Sequence, residues 1–148
     1  MRVAIASDHG GFDLKQSVLE YLKENEIEYT DFGCYNLDSV DYPDYAVPVC
    51  GAVLSGEADK GILICGTGIG ISISANKIKG IRCALCHDVF SAKATRQHND
   101  AQVIALGGRV IGAGHAVEVV DAFLHTDFSR GERHARRVRK IMDIEKKR

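Results

Sequence analysis

Short apolar runs alternate along the chain with longer amphipathic segments. Five runs have the length of a strand and lie at residues 3–7, 27–32, 61–65, 81–86 and 103–106. Between them, apolar residues recur at roughly helical spacing around residues 14–22, 47–54, 69–78, 89–97 and 116–124. Continuous apolar strands alternating with helices are typical of a parallel sheet covered on both faces. The pattern predicts one α/β domain over residues 1–148, a Rossmann-like three-layer αβα sandwich with a doubly wound, five-stranded parallel sheet.

Two further expectations concern the helices. Pro48 is expected close to the first turn of the second helix, where the missing N–H of proline does least harm. A basic helix is expected from about residue 130 to 147 or to the final Arg148, with an apolar side made by Ala135, Val138, Ile141 and Met142.

Polar residues follow most of the predicted strands at the point where each strand ends. Asp8 and His9 follow the first strand, Cys65 ends the third, and Arg109 comes after the fifth. The carboxyl ends of parallel strands share one edge, which is where such sheets bind ligands. We expect the functional site at this edge and place His98 there as well.

The segment after the third strand carries the strongest chemical signal. A glycine-rich turn opens a predicted helix there, and its residues are Cys65, Gly66, Thr67, Gly68, Ile69 and Gly70. The N–H groups of such a turn bind anions, and a helix N-terminus favours a thiolate. Cys65 is therefore expected to be the reactive thiol among five cysteines, because the other four lie within or beside apolar segments. The alternative is a tight turn whose glycines serve packing alone.

Other known motifs are excluded by their spacing or by residues that are missing. Residues 83–87 match the C-x-x-C-H haem-attachment pattern, but Cys83 and Cys86 are three apart on a predicted strand and face opposite sides of the sheet. The glycine spacing is G-x-G-x-G, which is not a dinucleotide fingerprint, and no Lys-Ser or Lys-Thr follows for a Walker loop. A cysteine phosphatase would need a loop arginine, which residues 67–72 lack.

Composition narrows the classes of function. The chain of 148 residues is 45% hydrophobic and 26% charged with a formal net charge of −1, which gives no global basic field for nucleic acid. No apolar run is long enough to span a membrane, the first residues are not typical of a signal peptide, and the odd number of cysteines suits reduced thiols. We therefore expect a cytoplasmic protein that binds neither membrane nor nucleic acid. No group of histidine, cysteine and aspartate residues has the spacing of a metal site, so no metal is expected.

Two polar groups in the second half of the chain have two interpretations each. His98 and Asn99 close the helix after the fourth strand, so His98 either transfers protons or merely belongs to a polar helix end. Arg133 and Arg137 are four apart on one helix face beside His134, and they either bind phosphate or form a solvated basic surface.

Together these segments resemble ribose-5-phosphate isomerase B over essentially the whole chain. The residues that carry the resemblance are Ser7 to Gly11, Cys65 to Gly70, Ser74 to Lys77, His98 to Asp100, and the pair Arg133 and Arg137. The resemblance implies interconversion of ribose 5-phosphate and ribulose 5-phosphate with no metal or organic cofactor. It also implies a homodimer with sites at the subunit interface. A branch of the family uses a glutamate just after the glycine turn, and Ile71 stands there in this chain.

The same resemblance assigns roles. It implies that Cys65 is the base, with Thr67 nearby, and that His98 opens the sugar ring. It implies that the N–H groups of Gly66, Thr67, Gly68, Ile69 and Gly70 hold the oxyanion. Sugar hydroxyls would be bound by Asp8, His9 and Asn99, and phosphate by Arg109, Arg133, Arg137 and His134. Two alternatives remain open: a hexose phosphate substrate such as allose 6-phosphate or galactose 6-phosphate, and a phosphosugar-binding module without catalysis.

Overall fold

The computed structural model describes residues 1–147 and contains a five-stranded, all-parallel sheet. Its strands are β1 (Arg2–Ser7), β2 (Glu28–Asp31), β3 (Lys60–Cys65), β4 (Cys83–Leu85) and β5 (Val103–Gly107). Their order across the sheet is β2-β1-β3-β5-β4, so the predicted doubly wound sheet is confirmed. The winding reverses between β1 and β3, and this switch point is where open α/β sheets bind ligands.

Six α-helices connect or follow the strands, and within residues 1–147 none is long and apolar enough to cross a membrane. They are α1 (Phe12–Glu24), α2 (Tyr42–Ser55), α3 (Ile69–Asn76), α4 (Val89–Ala94), α5 (Ala113–Leu124) and α6 (Glu132–Glu145). The predicted final helix is thus present but shorter, and Arg148 lies outside the described residues.

The sheet buries a different set of side chains on each face. Along β1, Val3 and Ile5 point into the core shared with α1 and α5, whereas Ala4 and Ala6 point into the core shared with α2 and α3. Side chains of successive strand residues alternate between faces, so each strand contributes to both cores. Cys86 and Cys83 likewise belong to opposite cores, as expected.

Two helices differ from the prediction. The second helix begins at Tyr42, so Pro43 and not Pro48 occupies its first turn, and Pro48 lies inside the helix. The partly exposed first turn carries no apolar periodicity, which is why the sequence pattern misplaced its start. The helix after β4 ends its regular part at Ala94 and continues as a π-helical turn over Thr95–Asn99.

Candidate active site

The glycine turn is shaped around Gly68, which adopts a left-handed conformation with φ +76°. A Cβ atom on Gly68 would lie 2.5 Å from Leu85 Cδ1 and 2.8 Å from the carbonyl carbon of Leu106. Only glycine fits this backbone and this space. As a result α3 begins directly after the turn, and the N-terminus of the helix lies beside the end of β3.

Cys65 is the last residue of β3, and its sulfur faces the N-terminus of α3. The N–H of Gly68 donates a hydrogen bond of 3.1 Å to Cys65 Sγ. A donor of this kind and a helix N-terminus both stabilise negative charge on sulfur. Thr67 is exposed beside it, with Oγ1 accepting from the N–H of Ile69 at 3.2 Å. The turn therefore brings the Cys65 sulfur and backbone N–H donors together.

Burial does not distinguish Cys65 from the other cysteines as the sequence suggested. Its side chain is only 3% exposed, the same as Cys34. The surroundings differ instead, because Cys65 lines an open cavity with Asp8, His9 and Arg109. Burial raises the pKa of three other thiols, to about 12 for Cys50, to about 11 for Cys86 and strongly upward for Cys83.

Asp8 and His9 enter the same cavity from the end of β1. Asp8 is buried and accepts a 3.0 Å hydrogen bond from the N–H of Gly11, which caps a short 3₁₀ turn at His9–Gly11. His9 Nδ1 accepts from the N–H of Val40 at 3.2 Å, so in this contact the ring proton lies on Nε2. The structure thereby brings together two polar groups that sequence reasoning placed in the site.

Arg109 covers the glycine turn from the loop after β5. The N–H groups of Gly108 and Arg109 donate to the carbonyl oxygens of Cys65 and Gly66 at 2.8 and 2.9 Å. A Cβ atom on Gly66 would lie 3.0 Å from Arg109 Nη1, so the missing side chain makes room for the guanidinium. Within residues 1–147 no carboxylate oxygen lies within 4.0 Å of Arg109. Its charge is available for an anion.

One wall of the cavity was missed by sequence reasoning. It is formed by residues 39–42, and Tyr42 packs its ring against Gly70, where a Cβ atom would lie 2.5 Å from Cζ. This segment has no apolar periodicity, and its one available signal is a tyrosine directly before Pro43 at a helix start. Tyr42 presents an aromatic face and a phenol to the mouth of the cavity.

His98 and Asn99 do not lie near Cys65 in the same chain, so the expectation that they share its edge is wrong. Helix α4 runs back across the sheet, and the π-helical turn at its end lies beside the amino end of β4. Arg82, the residue before β4, donates from Nε to the carbonyl oxygen of Asn99 at 2.9 Å. The direction of α4 explains this placement. A helix that connects two parallel strands starts at the carboxyl edge of the sheet and ends at the amino edge.

Helix α6 packs against this turn and extends the second cluster. The rings of His134 and His98 stack with centroids 4.5 Å apart and planes at 9°. Arg133 and Arg137 are exposed on the same helix, and no carboxylate lies within 4.0 Å of either in the described part of the chain. The chain thus carries two separate groups of candidate site residues. One is the thiol cavity with Cys65 and Arg109, and the other is the histidine–arginine cluster of His98, His134, Arg133 and Arg137.

Among residues 1–147 no three histidine, cysteine, aspartate or glutamate side chains come together in a geometry that could hold a metal ion. The cavity instead offers the Arg109 guanidinium as a donor for an anion and the Asp8 carboxylate as an acceptor for hydroxyl groups.

Known proteins are similar to this chain in sequence and in fold. A profile of the family described as Ribose/Galactose Isomerase matches residues 3–141. The Bacillus subtilis protein YwlF is 60% identical over 148 residues, covering 99% of each chain. Ribose-5-phosphate isomerase B of Escherichia coli is 47% identical, covering 99% of this chain and 98% of that protein. The structure of Clostridium thermocellum ribose-5-phosphate isomerase B superposes with a TM-score of 0.97 at 52% identity, covering 99% of each chain. The chain therefore belongs to the ribose/galactose isomerase family.

Proposed function

We propose that this protein interconverts D-ribose 5-phosphate and D-ribulose 5-phosphate in a site assembled between two copies of the chain. The observation that carries the proposal is the Cys65 sulfur held by the Gly68 N–H beneath the unpaired Arg109 guanidinium. Relatives named ribose-5-phosphate isomerase B at 47% identity over nearly the whole chain support the substrate.

The chemistry begins with the closed sugar ring. His98 acts as acid and base on the ring oxygen and the hydroxyl at C1, which yields the free aldehyde; such proton transfer contributes roughly 10²–10⁴-fold. Asp8, His9 and Asn99 bind the sugar hydroxyls. The phosphate is held by Arg109, Arg133 and Arg137, which suit it because a guanidinium makes paired, directional hydrogen bonds.

Isomerisation then moves one proton between neighbouring carbons. The Cys65 thiolate removes the proton from C2, and the electron pair of that C–H bond forms the C1–C2 double bond of an enediolate. Backbone N–H groups of the turn stabilise the developing oxyanion, where a single donor contributes about 10²–10³-fold. The hydroxyl proton at O2 passes to O1, and Cys65 returns its proton to C1 to give the ketose.

The proposal needs a second copy because the thiol cavity and the histidine–arginine cluster lie at opposite edges of one sheet. Around the glycine turn, apolar side chains are exposed on a surface continuous with the cavity; Ile69 is 50% and Ile73 is 56% exposed, with Leu85 beside Gly68. A second copy would cover this surface and bring its histidine and arginine cluster to Cys65. A two-fold dimer of this kind contains two identical sites.

Cellular context follows from the same proposal. The reaction belongs to pentose phosphate metabolism. All five cysteines are unpaired, which is consistent with a reduced cytoplasm.

The test is a substrate panel assayed for aldose–ketose conversion. We expect turnover of ribose 5-phosphate, with lower kcat/KM for allose 6-phosphate and galactose 6-phosphate. Cys65→Ala should lose turnover, and Cys86→Ala, which removes a core thiol outside the cavity, should keep it. A preference for a hexose phosphate would show that the substrate is a hexose phosphate and not ribose 5-phosphate. Binding of ribose 5-phosphate without turnover would indicate a binding module.

A further inference from the structure

The rings of His134 and His98 form a stacked pair. A centroid distance of 4.5 Å and an interplanar angle of 9° describe nearly parallel rings in contact. His98 itself is exposed at the end of a short π-helical turn. Its ring is held on one face by the stacked ring of His134 from α6.

The backbone beneath His98 is held firmly. Asp100 follows the π-helical turn in a left-handed conformation with φ 47°. Two arginines hold it: Arg96 Nη1 donates to Asp100 Oδ1 at 2.9 Å, and Arg82 Nη2 donates to its carbonyl oxygen at 2.7 Å. Because the backbone is fixed in this way, the position of the His98 ring depends on its side-chain torsions and hence on what packs against it.

The ring of His134 favours its neutral form. Arg133 Nε donates to His134 Nε2 at 3.5 Å, so that nitrogen acts as an acceptor. The pKa of His134 is lowered, first by its partial burial and then by the positive charge of His98, Arg133 and Arg137.

We propose that His134 is a positioning residue, an aromatic platform that orients His98 for ring opening. The inference rests on the proposed function, because it assigns the platform to the ring-opening step.

Two substitutions separate a platform from a phosphate ligand. His134→Phe keeps the aromatic face and removes both nitrogens, whereas His134→Ala removes the face. If His134 is a platform, kcat with cyclic ribose 5-phosphate falls about tenfold or more in His134→Ala and stays within about threefold in His134→Phe, while KM changes little. His125→Ala is the matched control, since His125 is an exposed histidine on a different surface that contacts Asp121.

A readout independent of turnover accompanies the kinetics. In proton NMR, the ring current of the stacked partner should shift the His98 ring protons upfield in the unmodified protein and in His134→Phe, and the shift should be lost in His134→Ala. Equal kcat in His134→Ala and the unmodified protein would overturn the proposal, as would a raised KM with equal losses in both variants. Absence of turnover in the unmodified protein would contradict the proposed function instead, with the NMR shift still reporting on the stack.

Discussion

Replacing the buried Lys15 with methionine is expected to destabilise the fold measurably. Lys15 lies on α1 with a fully buried side chain. Its Nζ lies 2.8 and 3.0 Å from the two carboxylate oxygens of Asp31 and donates to the carbonyl oxygen of Cys34. Methionine preserves most of the packing volume, so the substitution removes mainly the charge and leaves the Asp31 carboxylate without its cation.

The expected loss follows from this environment. Removing one partner of a buried ion pair costs about 3–5 kcal/mol, because the remaining charge is uncompensated. The Asp31 side chain is 20% exposed and also accepts from the N–H of Gly33 at 2.9 Å. We therefore expect the lower end, about 3 kcal/mol. At about 2–4 °C per kcal/mol for a chain of this size, Tm should fall by about 6–12 °C.

The assay is urea unfolding followed by circular dichroism at one protein concentration, since association links stability to concentration. Lys15→Met, Asp31→Asn and the double variant form a cycle in which the double variant should lose less than the sum of the single losses. Lys23→Met, an exposed position on the same helix, should change the free energy of unfolding by about 0.5 kcal/mol or less. A loss below about 1 kcal/mol for Lys15→Met, or strict additivity in the cycle, would refute the reasoning.

Three further outcomes test the site. Cys65 should react first with iodoacetamide in time-resolved mass spectrometry and be protected by ribose 5-phosphate; faster labelling of another cysteine would contradict its assignment as the base. Arg137→Ala should raise KM for ribose 5-phosphate about tenfold or more by removing a charged phosphate contact, whereas Arg136→Ala, the neighbouring control, should not; an unchanged KM would favour a solvated basic surface. Turnover should persist in EDTA, and loss of activity restored by one divalent ion would contradict a metal-independent reaction.

The thiol cavity was predictable from sequence because its signals are local. An apolar strand ending in Cys65, followed by closely spaced glycines and a helix, leaves few alternatives for the backbone. The topology rule for parallel sheets then places Asp8, His9 and Arg109 at the same edge, and the structure brings all of them into one cavity.

The remainder depends on contacts distant in sequence. His98 was expected at the wrong edge because a polar residue at a helix end was counted with those at strand ends. The burial of Lys15 could not be predicted, since lysine is almost never fully buried unless paired, and Asp31 is sixteen residues away in sequence. Tyr42 was missed because the first turn of α2 is exposed and has no periodic pattern.

Mixing two inactive variants tests the central claim most directly, namely that Cys65 of one chain works with His98 of another. Cys65→Ala and His98→Asn chains would be combined, allowed to exchange subunits, and assayed with ribose 5-phosphate beside each variant alone. A mixed dimer has one site with both native residues, so random exchange should restore about a quarter of the sites. Recovery near that level is the predicted result. Activity that stays at the mean of the two separate variants, despite confirmed exchange of subunits, would contradict a shared active site.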